Sequence, residues 1–171
     1  MSNSMKNIVL GRFQPFHNGH EALIQQALER CSGEKLMIAI GSANAELSIN
    51  NPWTATEREE MITAWASEKG VKDDVEFCHI PDINDPPNWV KHASKYHGTR
   101  GILHTSDSKT AELYRLSQWK VVEHKLHKRE SLEGWRVRTT MKMMYDIPET
   151  NTGRHVLSIL IPNIVIDWLN K

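Results

Sequence analysis

The sequence predicts an α/β fold, a doubly wound parallel sheet followed by a helical C-terminal extension. Two observations carry that reading. Short apolar segments rich in Val, Ile and Leu alternate with helix-like segments along the chain, and strands flanked on both sides by helices imply a buried parallel sheet with right-handed crossovers. No repeat, low-complexity tract or linker breaks the 171 residues, a length that suits one domain with a real core. The expected organisation is a single domain over 1–171, with its core at about 6–145 and the extension at about 146–171.

The elements follow in order. Residues 7–10, Asn-Ile-Val-Leu, make the first strand candidate, and residues 19–30 a helix with Ala22, Leu23, Ala27 and Leu28 at a period near 3.6. Residues 35–40 are the second strand candidate. Residues 54–69 form the next helix, with Met61, Ile62 and Trp65 on one face and Thr54 and Glu57 spaced as a capping box at its start. Strand candidates at 75–80, 101–103 and 120–122 are separated by helix candidates at 87–96 and 108–116. In such sheets ligands bind beyond the carboxyl ends of the strands, and Gly41-Ser42 and Pro81-Asp82 lie at two of these ends.

Composition excludes several function classes. Lys plus Arg and Asp plus Glu are 21 each, so no global charge attracts nucleic acid or an anionic membrane, and any anion site must be built locally. Two distant cysteines, Cys31 and Cys78, argue for a reducing compartment. The first residues lack a signal-peptide layout. The apolar stretch 156–168 is broken by Pro162 and Asn163 and is too short to span a bilayer. The expectation is a cytoplasmic protein with no nucleic-acid or membrane partner.

One stretch carries most of the functional information: Gly11-Arg12-Phe13-Gln14-Pro15-Phe16-His17-Asn18-Gly19-His20. A strand, a turn with two glycines and two histidines, then a helix makes an anion site, with helix-start N–H groups and two imidazoles expected at the strand end. Two blander readings compete. His17 and His20 could be a zinc pair, but no third and fourth ligand lie nearby. They could also be surface histidines at a helix cap.

The decamer resembles the HxGH signature of nucleotidyltransferases. In its extended form, GRFQPFHxGH, it is similar to the archaeal-type nicotinamide mononucleotide (NMN) adenylyltransferases, which implies a Rossmann-like fold. Ile40-Gly41-Ser42-Ala43 resembles the family's IGSA segment, and Asn51 to Arg58 its NPFTxxER segment. Pro81-Asp82-Ile83-Asn84-Asp85 with Trp89-Val90-Lys91-His92 resembles PDIN…WVxH. The resemblance covers roughly residues 7–145. It implies adenylyl transfer from ATP to NMN, giving NAD and pyrophosphate, with nicotinate mononucleotide as a second candidate acceptor.

By that resemblance the catalytic residues are His17, His20, Arg12 and Arg138. The ATP site takes Gly11, Arg12, Phe13, Gln14, His17, Gly19 and His20, with Gly134, Arg136 and Arg138 from a later segment. The NMN or NAD site takes Gly41, Ser42, Trp53, Asp82, Ile83, Asn84 and Trp89. Trp89 could be a plain core aromatic. In the family the matching Trp stacks on the nicotinamide ring, where an electron-rich indole suits a cationic pyridinium. Mg²⁺ is expected to arrive mainly on ATP, since no carboxylate cage is evident, and no protein-held metal is expected. The family also implies a homo-oligomer.

Two departures qualify the match. The family closes its core with ISxTxxR, and the matching residues 132–138 keep Arg138 but place Glu133 for Ser and Trp135 for Thr. Glu133 suits a helix dipole and repels a nearby triphosphate. Asn50 stands where many relatives carry Lys or Arg, and Arg136, Lys128 or Arg129 are candidates to compensate. Two alternatives therefore stay open: an HxGH transferase with another phosphorylated acceptor, and a catalytically weakened nucleotide-binding regulatory protein.

Overall fold

A computed structural model describes residues 5–125, 133–145 and 150–171. Its strands are β1 (Lys6–Gly11), β2 (Leu36–Ile40), β3 (Val75–His79), β4 (Gly101–Thr105) and β5 (Lys120–Glu123). They form one parallel sheet in the order β3-β2-β1-β4-β5. The chain enters at the central strand, builds one half outward, then returns to build the other. The strand order therefore reverses beside β1, at the carboxyl ends of β1 and β4, which is where open α/β sheets bind ligands.

The helices are α1 (Asn18–Leu28), α2 (Ala55–Glu68), α3 (Trp89–His97), α4 (Ser108–Leu116), α5 (Gly134–Tyr145), α6 (Thr150–Ser158) and α7 (Asn163–Leu169). Side chains alternate across each strand, so neighbouring residues enter different cores. Val9, Ile38 and Ile40 pack with Leu23, Ile24, Ile62 and Trp65 of α1 and α2, and with Val137 of α5 and Val165 of α7. Ile8, Met37, Ala39 and Leu103 pack on the other face with Val90 and Ala93 of α3 and Tyr114 of α4. Trp65 is fully buried, worth about 1.5–3 kcal/mol by analogy with other large apolar side chains. Its indole N–H donates to Glu21.

The capping box expected at α2 forms in both directions. Glu57 N donates to Thr54 Oγ1 at 3.1 Å and Thr54 N to Glu57 Oε2 at 2.8 Å. Three expectations need correction. The segment 87–96 is not one helix: Pro86–Asn88 makes a 3₁₀ turn and the α-helix starts at Trp89, because two successive prolines favour a turn over an α-helical entry. β4 continues past Leu103 to Thr105, its last polar side chains being buried rather than turned to water. α5, absent from the list of helix candidates, supplies Val137 and Met141 to the core.

The C-terminal helices reach the decamer. Asn18 N donates to Leu160 O at 2.8 Å and Asn18 Nδ2 to Ile159 O at 2.9 Å, so the start of α1 is tied to the segment between α6 and α7. Arg154 and Asp167 pair at 2.7 Å between those helices. Among the described residues no helix is long and apolar enough to cross a membrane.

Candidate active site

A cleft of about 600 Å³ opens at the strand-order reversal. Leu10 to Gln14, His17, Gly19, His20 and Leu23 line it from β1 and α1; Gly41 and Ser42 follow β2. Asp82 and Trp89 enter from beyond β3, and Thr105, Ser106, Asp107 and Thr110 from the end of β4. Glu133, Gly134, Trp135 and Arg138 close it from the start of α5.

The two histidines form a cap and a stack at once. His17 is the N-cap of α1, and its Nδ1 accepts from Gly19 N at 3.1 Å and His20 N at 3.4 Å. His20 Nδ1 accepts in turn from His17 N at 3.2 Å. The rings stack with centroids 3.6 Å apart, and the Phe13 edge meets His20 at 4.7 Å. Because both Nδ1 atoms accept, each neutral ring carries its proton on Nε2. Burial, and then the neighbouring His17, hold His20 well below the ordinary histidine range, so it is neutral at pH 7 and donates through Nε2–H without being a cation.

This cap corrects the expected anion site at the helix start. Asn18 N is bound to Leu160 O, and the Gly19 and His20 N–H groups are bound to His17. The first-turn amides are thus satisfied within the protein, and the donors facing the cleft are side chains.

Arg12 and Arg138 supply the positive charge. Arg12 is exposed and donates to Asn51 Oδ1. Arg138 donates through Nη1 to Gln14 O at 2.8 Å. Burial and then the Arg12 guanidinium depress the Arg138 pKa, the sign of two cations drawn toward one place. Two glycines make the approach possible. A Cβ on Gly134 would lie 3.1 Å from Arg138 Nη1, and one on Gly11 would lie 2.9 Å from the Phe13 ring. At Gly11 a side chain would force the Phe13 ring to move, and at Gly134 it would press the Arg138 guanidinium back by a few tenths of an ångström.

Phe13 and Gln14 shape the turn. Phe13 is buried with φ at 54°, in the left-handed region that costs a bulky residue energy. Gln14 uses both ends of its amide on the backbone of one residue: Nε2 donates to Trp53 O at 3.0 Å and Oε1 accepts from Trp53 N at 3.2 Å. Ser42 Oγ donates to Asp82 Oδ2 at 2.6 Å, and Asp82 N donates to Asn44 Oδ1 at 2.8 Å, locking the loops after β2 and β3 together. Trp89 is half-buried at the cleft wall, its ring 5.6 Å from His92, while His92 Nε2 lies 2.7 Å from Pro81 O.

Not every residue expected at the site reaches the cleft. Trp53 packs against the core beneath α2 and meets Gln14 by its backbone, so its ring is not in the lining. Ile83 and Asn84 are exposed and also stand outside the lining. Arg136 lies over the Trp135 ring at 4.6 Å and faces Glu133 at 3.9 Å. Arg136 thus stands outside the cleft lining, beside Glu133. Glu133 Oε2 also accepts from Trp135 Nε1 at 2.7 Å, so its charge is partly answered before any phosphate arrives. Asn50 is exposed. Lys128 and Arg129 lie outside the described residues.

Other contributors were not singled out from the sequence. Asp107 caps α4 through Thr110 N at 3.0 Å and accepts from Thr110 Oγ1 at 2.7 Å. With Thr105 and Ser106 it forms the β4 side of the cleft, and its signal was the strand end followed by a polar helix start. Arg58 lies behind the cleft, fully buried. Among the described residues no three His, Cys, Asp or Glu side chains gather as metal ligands.

Comparison with known proteins follows the same lines. Residues 8–145 match the cytidylyltransferase-like family. A nicotinamide-nucleotide adenylyltransferase of Thermococcus sibiricus is 32% identical over 98% of this chain and 84% of its own length. Another, from Methanocorpusculum labreanum, is 36% identical over 80% of this chain and 79% of its own. A bifunctional NMN adenylyltransferase/ADP ribose pyrophosphatase of Francisella tularensis has a similar fold, with a TM-score of 0.71, 22% identity and 98% of this chain covered. That protein has also been crystallised with AMP and a manganese ion, and that structure superposes with a TM-score of 0.66 at 21% identity. The chain spans about half the length of these two solved chains, 51% and 52%.

Proposed function

The chain belongs to the cytidylyltransferase-like family and, within it, to the nicotinamide-nucleotide adenylyltransferases, and on that premise we propose that it transfers the adenylyl group of ATP to NMN, giving NAD and pyrophosphate. A 5′-phosphate oxygen of NMN attacks the α-phosphorus of ATP in line. The bond from that phosphorus to the β-phosphate oxygen breaks, and the electron pair leaves with pyrophosphate. The nucleophile is already an anion and the leaving group is good, so catalysis rests on positioning and on charge stabilisation.

The observation that carries this reading is the stacked His17–His20 pair facing a cleft that also receives Arg12 and Arg138. Each imidazole has its Nδ1 committed to backbone N–H groups and its proton on Nε2, and burial holds His20 neutral as a fixed donor. Such donors stabilise charge that grows on phosphate oxygens without losing a proton themselves. Arg138, anchored on Gln14 O, and Arg12 neutralise the polyphosphate, where a guanidinium fork suits phosphate geometry. When bound, magnesium on the ATP phosphates adds charge neutralisation at the leaving group.

Trp89 provides the face for the nicotinamide ring, with the Ser42–Asp82 pair beside it. The same reading gives one nucleotidyltransferase domain with a helical C-terminal extension, acting in the cytoplasm as a homo-oligomer without nucleic-acid or membrane partners. A coupled pyrophosphate assay with ATP and each acceptor tests it. Pyrophosphate is expected with NMN, and release with nicotinate mononucleotide ranks the second acceptor. Release only with an unrelated phosphorylated acceptor, or with none, would overturn the proposal.

A further inference from the structure

Arg58 is a buried cation whose hydrogen bonds all go to backbone carbonyls, with the Asp82 carboxylate acting on it through space and not as an ion pair. It sits in the first turn of α2 with 1% of its surface exposed, and among the described residues no carboxylate pairs with it. Its bonds go to backbone carbonyls: Nε to Thr54 O at 3.1 Å, Nη1 to Arg12 O and Gly41 O at 2.8 Å each, and Nη2 to Ser42 O at 3.2 Å. Carbonyl oxygens thus take four of the five guanidinium N–H groups, which offsets much of the cost of burying the charge. Burial, and then repulsion from Arg12, lower its pKa to about 10, so it keeps its charge at neutral pH.

The places it binds are significant. The β1–β2 ladder ends where Gly11 pairs with Ile40, and the last link is Gly41 N to Gly11 O at 2.8 Å. Beyond that rung the chains part to form the cleft, and Arg58 Nη1 bridges Arg12 O to Gly41 O in place of a further rung. The carbonyls it holds adjoin two strained residues, Phe13 with φ at 54° and Ser42 with φ at 49°. Non-glycine residues persist there only where surrounding contacts over-determine them. Arg12 and Ser42 both line the cleft.

We infer that Arg58 is a positioning residue, a guanidinium rung beyond the end of the sheet that holds the Arg12–Phe13 and Gly41–Ser42 peptides in their site-forming conformation. The inference deepens the proposed transferase reading and rests on it where turnover is measured. An ammonium on the Lys stem keeps the charge but lacks the planar fork that reaches three separate chain segments.

The test compares wild type, Arg58→Lys and Arg58→Ala under conditions where circular dichroism shows them folded. Hydrogen exchange is followed at residues 11–14 and 41–44, together with kcat and KM for ATP and NMN. Faster exchange by about tenfold or more is expected in those two segments of Arg58→Lys, with the core helices unchanged. Its kcat should fall on the order of 10–10²-fold, as small misplacements at a phosphoryl-transfer site do, and Arg58→Ala should regain part of its turnover with added methylguanidinium. A folded Arg58→Lys with unchanged exchange, kcat and KM would overturn the inference. So would loss of the folded state in both variants, since Arg58 would then support the whole fold and not the site. If wild type itself makes no NAD, the transferase reading fails and the exchange pattern alone decides the role of Arg58.

Discussion

Replacing His17 separates two roles that one imidazole performs. Its Nδ1 caps α1 and its Nε2 carries the proton offered to phosphate. His17→Ala removes both. Losing an N-cap costs about 1 kcal/mol, and for a chain of this size that lowers Tm by about 2–4 °C. The capping geometry thus gives this imidazole a share in the stability of α1. His17→Asn keeps a side-chain oxygen at the N-cap but has nothing at the position of Nε2. Both variants should lose about 10²-fold or more in kcat, or at least about 2.7 kcal/mol of transition-state stabilisation. Only the Ala variant should lose the 2–4 °C. Thermal unfolding by circular dichroism and steady-state pyrophosphate release provide the two readouts. Near-wild-type turnover in His17→Asn would refute the assigned role, and equal Tm losses in both variants would refute the capping account.

Three further outcomes follow from the same geometry. Trp89→Ala should weaken NMN and NAD binding by about 1–2 kcal/mol while ATP binding changes much less; equal losses for ATP and NMN in calorimetry, with a lower Tm, would mark a core aromatic instead. Glu133→Ser removes a carboxylate at the cleft and releases Arg136, so ATP should bind tighter by about 1 kcal/mol or less, the pair being exposed. The gain should shrink at high salt, and weaker ATP binding by Glu133→Ser would mean that Glu133 has a role of its own. His104 is buried between Asn7 and His124, and burial first, then His124 and Arg30, push its pKa down to about 4. The unfolded chain binds a proton there near pH 6.5 and the folded chain does not, so stability falls as pH drops below 6.5 and keeps falling toward pH 4. From pH 7.5 to pH 5 the loss from His104 alone is about 2 kcal/mol; urea unfolding of wild type and His104→Gln should differ in slope over that range, and identical slopes would refute it.

The sheet was legible because buried parallel strands are nearly continuous apolar runs, as Leu36 to Ile40 show. β4 was cut short because His104 and Thr105 are polar, and only the structure reveals His104 paired with Asn7, 97 residues away in sequence. α5 buries just Val137 and Met141 in its middle turns, too thin a stripe among Arg, Thr and Lys to read as a helix. At the site, the residues meeting in one cleft came from contiguous motifs, which a linear reading captures. The braces between motifs did not. Gln14 on the Trp53 peptide and Arg58 on the carbonyls of Arg12 and Gly41 span 17 to 46 residues, and nothing local signals them. A histidine N-cap was hidden for another reason: the residues normally read as caps are Ser, Thr, Asp and Asn.

The central claim is that NMN phosphate takes the α-phosphorus of ATP. Incubating the protein and NMN with ATP labelled either at the α- or at the γ-phosphorus tests it directly. The account predicts the α label in NAD and the γ label in pyrophosphate, in equal amounts. Absence of labelled NAD, or release of the γ label as inorganic phosphate with the α label left in ADP, would contradict it.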